Sequence, residues 1–278
     1  MTLSFLIESI IMVFQYFVLS LFGALFFLTI LFRIVEPAYM IVFNKPLYLY
    51  LYLFPKKLTI SQLQILTNEF PFYKRLSFRK KIYFEHRVKG FINYYQFAGK
   101  EELSVTDEMK IIIAGTYTMF TFGMREYLID SFKTIVIYPS VYFSNINQKY
   151  HKGEFNPMMK TVVFSWEDYI LGHKTANDNI NLGLHEFSHV LHLHCLKSNN
   201  PSAVIFFDEF NKVIAYYNDY NLNKELYENN YFRQYAYESQ FEFIAVVLEH
   251  FFETPQIFKN KYPELFGYVS SMINFSEK

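Results

Sequence analysis

His185-Glu186-Phe187-Ser188-His189 spells H-E-x-x-H inside an apolar run, and its reading decides what the rest of the chain must supply. On an α-helix two histidines four residues apart lie on one face, one turn above the other, so both imidazoles reach a single ion. Glu186 is turned about a quarter of the way round, toward the side where a metal-bound water would sit. The spacing therefore offers two nitrogen ligands for Zn²⁺ and a carboxylate to take a proton from that water. The flanks predict a buried helix: Ile180, Leu182, Leu184, Val190, Leu191 and Leu193 are apolar. Asp178 or Asn179 is placed to cap its start, and Asn199-Asn200-Pro201 to end it.

Such a site needs a third protein ligand. Phe241, Ile244, Ala245, Leu248, Phe251 and Phe252 recur at helical spacing and predict a second amphipathic helix. Glu238, Glu242 and Glu249 share one stripe of it. Glu242 lies between Phe241 and Phe243, and a carboxylate amid aromatics is expensive to bury unless paired or metal-bound. Spacing alone leaves the ligand open among the three.

Several stretches resemble one family of zinc peptidases, that of Mlc titration factor A (MtfA). His185-Glu186-Phe187-Ser188-His189-Val190-Leu191 is similar to its zinc helix, H-E-F-A-H-x-L-D. Leu103-Ser104-Val105-Thr106-Asp107-Glu108-Met109 resembles the opening of its central helix. Val136-Ile137-Tyr138-Pro139 and Val162-Val163-Phe164-Ser165-Trp166-Glu167-Asp168 resemble two of its strands. Glu242-Phe243-Ile244-Ala245-Val246, with Glu249, Phe251, Phe252 and Pro255, resembles E-F-F-A-V-x-S-E-x-F-F-x-x-P, and Pro263-Glu264-Leu265-Phe266 its closing motif. The matches run in order from about residue 60 to 270.

The resemblance implies a zincin-like metallopeptidase domain, mainly helical with a small sheet, and with the apolar N-terminal run read below as a transmembrane helix the fold class is α+β. The resemblance also implies that His185, His189 and Glu242 hold Zn²⁺, that Glu186 is the general base, and that Tyr235 stabilises the oxyanion, with Tyr237 as its rival. One position departs from the family. His192 stands where Asp is usual, three residues after the second histidine, on the face of His185 and His189. An imidazole there removes an acceptor of the kind that orients a ligating histidine.

Ser9 to Phe32 carries no charged side chain, and about 24 residues at 1.5 Å each make some 36 Å of helix. That crosses a hydrocarbon core of roughly 30 Å. A secretory signal fits poorly: no basic residue precedes the run, and Glu8 stands where one is wanted. From Ile34 to Phe54 the chain stays apolar but is divided by Glu36, Pro37, Asn44, Lys45 and Pro46. This stretch, with Tyr48, Tyr50 and Tyr52, reads as an interfacial segment or a second span. Residues 1–55 are thus a membrane anchor with its span at about 9–32, and residues 56–278 a single domain. Arg33, Lys45, Lys56 and Lys57 follow the span, which places the domain in the cytoplasm as a single-pass protein.

Within the domain, residues 134–138 and 161–165 read as strands of a small sheet whose edge borders the metal helix. Residues 143–160, with Asn145, Asn147, Gly153 and Pro157, read as a surface loop, and the Tyr/Asn-rich stretch 216–223 as a loop lining the cleft. Basic residues equal acids at 26 each, so nothing steers the chain to nucleic acid. Cys195 is the only cysteine, which excludes an internal disulfide. Two functions are in view. One is a membrane-anchored zinc metallopeptidase acting on a peptide or protein substrate. The other, allowed by the resemblance, is a regulatory protein on the same scaffold that sequesters a transcriptional repressor.

Overall fold

The computed structural model describes residues 3–144, 148–175 and 177–275. They divide into two units, one ending at Leu47 and one beginning at Tyr48. In the first, helix α1 (Leu3–Ile30) passes through a π-helical stretch (Leu31–Val35) into α2 (Glu36–Phe43). The helix therefore does not stop at Phe32. Pro37 has no N–H for the turn before it, and the wider π turn just ahead absorbs the mismatch instead of breaking the rod. The stretch Ile7–Phe43 is long and apolar enough to cross a membrane, and its most apolar window buries nothing. The helix ends at Asn44, whose φ of 50° is the left-handed conformation common just past a helix C-terminus.

The second unit contains α3 (Ile60–Glu69), α4 (Pro71–Arg75), α5 (Phe78–Tyr94), β1 (Gln96–Gly99) and α6 (Asp107–Thr121). Then come β2 (Thr134–Tyr138), β3 (Tyr142–Ser144), β4 (Lys149–His151), β5 (Gly153–Asn156), β6 (Thr161–Ser165) and α7 (Trp166–Lys174). The chain closes with α8 (Leu182–Cys195), α9 (Pro201–Asn218), α10 (Tyr220–Glu228), α11 (Gln240–Glu253), α12 (Pro255–Lys261) and α13 (Pro263–Met272). The architecture is mostly helical with a small mixed sheet, as expected. Its four strands run in the order β1-β2-β6-β5, the first three parallel and β5 antiparallel at the edge. Ile135, Ile137, Val162 and Phe164 alternate onto one buried face. The central helix α6 is capped by Thr106 and buries Ile111, Ile112, Ile113 and Ala114 in succession, which is why it reads as a continuous apolar run.

Two expectations for loops are corrected. Asn145 and Asn147 lie outside the described residues, but nine of the fifteen described residues between 143 and 160 are strand. β3 and β4 form a small antiparallel pair, and β5 joins the main sheet. These strands are only three or four residues long: β3 buries Tyr142 and Ser144 around exposed Phe143, and β4 and β5 are half-buried or exposed throughout, so none shows a run of apolar alternation. Residues 216–223 end α9 and begin α10, broken only at extended Asp219, whose carboxylate caps the next turn through Leu222 N (3.0 Å).

The tyrosines after Pro46 pack on the domain rather than waiting for a lipid interface. Arg87 is fully buried without a carboxylate. It donates to the Tyr52 hydroxyl (2.8 Å) and to the carbonyls of Thr121 (2.8 Å) and Met124 (2.7 Å), and its guanidinium lies 4.9 Å from the Tyr50 ring. A buried cation needs such acceptors and ring faces around it. Tyr48 likewise takes the Arg125 guanidinium on its ring, at 3.7 Å.

Candidate active site

The H-E-x-x-H motif lies on α8, which packs against α6, α11, β5 and β6. Leu184, Phe187, Val190 and Leu191 bury its inner face completely. The cap is Asn181, not Asp178 or Asn179: its side-chain oxygen accepts from Leu184 N at 3.1 Å. Asp178 instead closes a tight turn onto Ile180 N, and Asn179 has a φ of 54°. Nor does Asn200 end α8. It caps α9 through Ser202 N (3.0 Å), with Pro201 in the first turn.

Ser239 caps α11 through Glu242 N (3.2 Å), so the Glu242 side chain leaves the first turn of that helix toward α8. His185 Nε2 and His189 Nε2 are 3.3 Å apart. Glu242 Oε2 lies 3.0 Å from the first, and Oε1 lies 3.6 Å from the second. The three side chains bring ligand atoms within 4.8 Å of one another, and the donor set of two imidazoles and a carboxylate suits a divalent metal. Of the other two glutamates on the stripe, Glu238 follows a 3₁₀ turn (Gln234–Tyr237) and belongs to no such cluster.

Glu249 has a role that sequence reading missed. Two turns beyond Glu242 and fully buried, it accepts from Nδ1 of His185 at 2.8 Å, opposite the face that meets Glu242. Arg233 donates to both of its oxygens (2.7 and 2.8 Å), and Asn181 N adds a fourth bond (3.2 Å). Burial alone would raise its carboxyl. The hydrogen bonds from His185 and Arg233 outweigh that and hold it below its ordinary value. Burial likewise disfavours charge on His185, but Glu242 and Glu249 push its pKa up to about 10. His189, buried beside that cation, is pushed down to about 4.

Glu186 is lifted to about 7 by burial, with His185 opposing and Glu242 and Glu154 reinforcing. The edge strand presses directly on it. A Cβ at Gly153 would stand 2.8 Å from Glu186 Oε1 and 2.7 Å from a Leu182 methyl, so a larger residue here would displace the ends of both side chains. Tyr235, on the 3₁₀ turn, is 39% exposed, and its ring centroid is 5.7 Å from that of His185. Burial and the Glu242 carboxylate raise its phenol. Its rival Tyr237 turns away to pack on Tyr227 and Phe243. His185, Glu186, Tyr235, Gly153, Lys152 and Asp168 help to line a cleft of about 440 Å³.

Residues 53–273 match the glucose-regulated metallo-peptidase M90 family, the family of MtfA. The chain belongs to it. It is also similar to the uncharacterized protein slr2042 of Synechocystis sp. (strain ATCC 27184 / PCC 6803 / Kazusa), at 24% identity over 231 residues, 77% of this chain and 83% of that relative. An M90 metallo-peptidase implies a metal, and among the described residues the His185–His189–Glu242 group is where one fits.

His192, the departure from the M90 pattern, is outside that group. Its ring packs at 4.4 Å from Phe210 and 5.0 Å from Phe241, its Nδ1 is buried without a hydrogen bond, and burial pushes it down to about 4. His194 points to Glu126 (3.1 Å). Cys195 is buried, which pushes its thiol up and leaves it unreactive.

Proposed function

We propose that this chain is a membrane-anchored zinc metallopeptidase in which His185, His189 and Glu242 hold the metal. One observation carries the reading: two imidazole nitrogens and a carboxylate from two different helices converge on one point. Glu242 Oε2 is buried and lies 3.0 Å from His185 Nε2, an ion pair that a metal ion would replace. Ligands about 2.0–2.1 Å from zinc at tetrahedral angles stand roughly 3.3–3.4 Å apart. The observed 3.3, 3.0 and 3.6 Å fit that spacing. When bound, zinc would supply Lewis acidity toward the scissile carbonyl and the attacking water.

The chain's own groups supply the rest. Glu186 accepts the proton of a water held in the cleft and returns it to the leaving amine, a task suited to a carboxylate poised near neutrality. Tyr235 donates its hydroxyl to the oxyanion, for which it need turn only from Glu242. β5 is an edge strand beside Glu186, and a sheet edge suits an extended peptide added as a further strand. The apolar helix anchors the protein, and the basic residues after it favour a cytoplasmic domain.

The alternative, sequestration of a transcriptional repressor, is allowed by the family resemblance, and in the sequence the His192 departure mildly favours it. That residue packs among aromatics, and Glu249 orients His185 in its stead, so nothing at the site favours it. The test is Glu186→Gln in the full chain. It should retain one zinc and lose peptide hydrolysis by a factor on the order of 10²–10⁴. Unchanged turnover would overturn the mechanism.

A further inference from the structure

Leu51, Leu53, Phe54, Ile60 and Phe78 are the wrong residues to leave in water, yet Leu53 is 82%, Phe54 90% and Phe78 82% exposed. Their placement follows from the strap that begins the second unit. Tyr50 stacks on Tyr83 at 4.8 Å, Tyr52 stacks on His86 at 3.9 Å, and Lys56 N donates to His86 Nδ1 at 2.9 Å. The strap thus runs along α5 with its tyrosines turned inward. Alternation sends Leu51 and Leu53 outward. Phe78 stands in the first turn of the same helix, about 7.5 Å along the axis from Tyr83 and about 12 Å from His86.

The apolar side chains are interleaved with charge of one sign. Residues 48–81 contain Lys56, Lys57, Lys74, Arg75, Arg79, Lys80 and Lys81 against a single acid, Glu69, and that acid is engaged by His173 at 3.2 Å. Exposed aromatic and aliphatic side chains among lysines and arginines match the interface of an anionic bilayer, where rings enter the headgroup layer and basic residues meet phosphate. The chain joins this surface to the apolar helix through residues 44–47 alone.

From this juxtaposition we infer that the face built by Leu51, Leu53, Phe54, Phe78 and the adjoining basic residues lies on an anionic lipid surface, so that the domain docks on the membrane as well as being tethered to it. The inference rests on the anchor reading above, and the experiment separates the two. Full-length protein is reconstituted into phosphatidylcholine vesicles containing phosphatidylserine, with an environment-sensitive fluorophore on Phe22→Cys, Phe54→Cys, Phe78→Cys or Met158→Cys. Native Cys195 is buried and serves as the unlabelled blank. Nitroxide lipids should quench the probes at 22, 54 and 78 but not the one at 158, an exposed position on the β5–β6 turn. Replacing Lys56, Lys57 and Arg79 by Gln, or removing the phosphatidylserine, should release 54 and 78 and leave 22 quenched. The ratio of docked to free domain should fall roughly fivefold per basic residue removed.

If 22 is quenched while 54 and 78 match 158, the docking inference is wrong and the anchor stands. If 22 is not quenched, the anchor itself fails and the inference falls with it. A shielded probe at 54 that lipid nitroxides do not reach would mean protein, such as a second copy, covers the face, which also overturns it.

Discussion

The two sides of the His185 imidazole are built on opposite principles. On the Nδ1 side everything is closed: Glu249 is fully buried, and its hydrogen bonds to His185, Arg233 and Asn181 leave it no unmet demand. On the Nε2 side everything is open. Glu242 and His189 are partly exposed and meet His185 Nε2 at 3.0 and 3.3 Å, with room on the cleft side for a further group. The contrast teaches where binding energy is kept. A saturated set of bonds orients a ligand, while a cluster of ligand groups open to the cleft is what gains when a cation enters.

The comparison breaks most readily on its open side. Glu242→Ala removes one of three ligands and should abolish stoichiometric zinc binding, measured by metal analysis after dialysis, with helicity retained. Full occupancy would mean that the third ligand lies elsewhere on α11. Tyr235→Phe should keep the metal and reduce kcat by about 10²–10³, the usual cost of one oxyanion donor. Equal loss in Tyr237→Phe, whose ring is turned from the cleft, would refute that assignment.

The closed side should respond more mildly. Glu249→Gln keeps an acceptor for Nδ1 but loses the charge that pairs with Arg233, and zinc affinity should fall about 10–100-fold. If competition with a chelator finds affinity unchanged, saturation on that side is only structural. The smallest effect carries the comparison away from the site, to His86. Its Nδ1 accepts Lys56 N–H, and burial with Lys56 and Arg87 nearby pushes its pKa down to about 4 from an ordinary 6.5. The unfolded chain therefore binds the extra proton between those values. His86 should contribute stability in full above pH 6.5 and lose it as pH falls toward 4, on the order of 1 kcal/mol per pH unit. Chemical denaturation of His86→Gln should show a shallower slope across that window, and an unchanged slope would show that His86 titrates normally in the fold.

Periodicity carried the fold a long way. β2 and β6 begin and end where 134–138 and 161–165 were read, because their buried faces alternate cleanly. α8 and α11 were legible for the same reason. The pattern failed where burial was partial or composition misleading. β3, β4 and β5 are too short and too polar to show alternation, and Tyr/Asn-rich α9 and α10 hid their apolar stripes among aromatics. In the site, the H-E-x-x-H spacing and the glutamate stripe were visible. Gly153 and Arg233 were not, since their partners are brought to them by distant segments of chain.

The sequence by itself determined that two histidines share a helical face, that a helix rich in carboxylates follows, and that an uncharged N-terminal run can cross a membrane. These are local properties, set by the 3.6-residue turn and by side-chain polarity. Spacing left three equivalent glutamates open, and the tertiary structure gives each its own surroundings. Glu242 and Glu249 are seven residues apart on one stripe and chemically identical. The packing of α11 on α8 sets one against Nε2 and the other against Nδ1 of the same ring, a distinction made by where a second helix crosses and not by either residue alone.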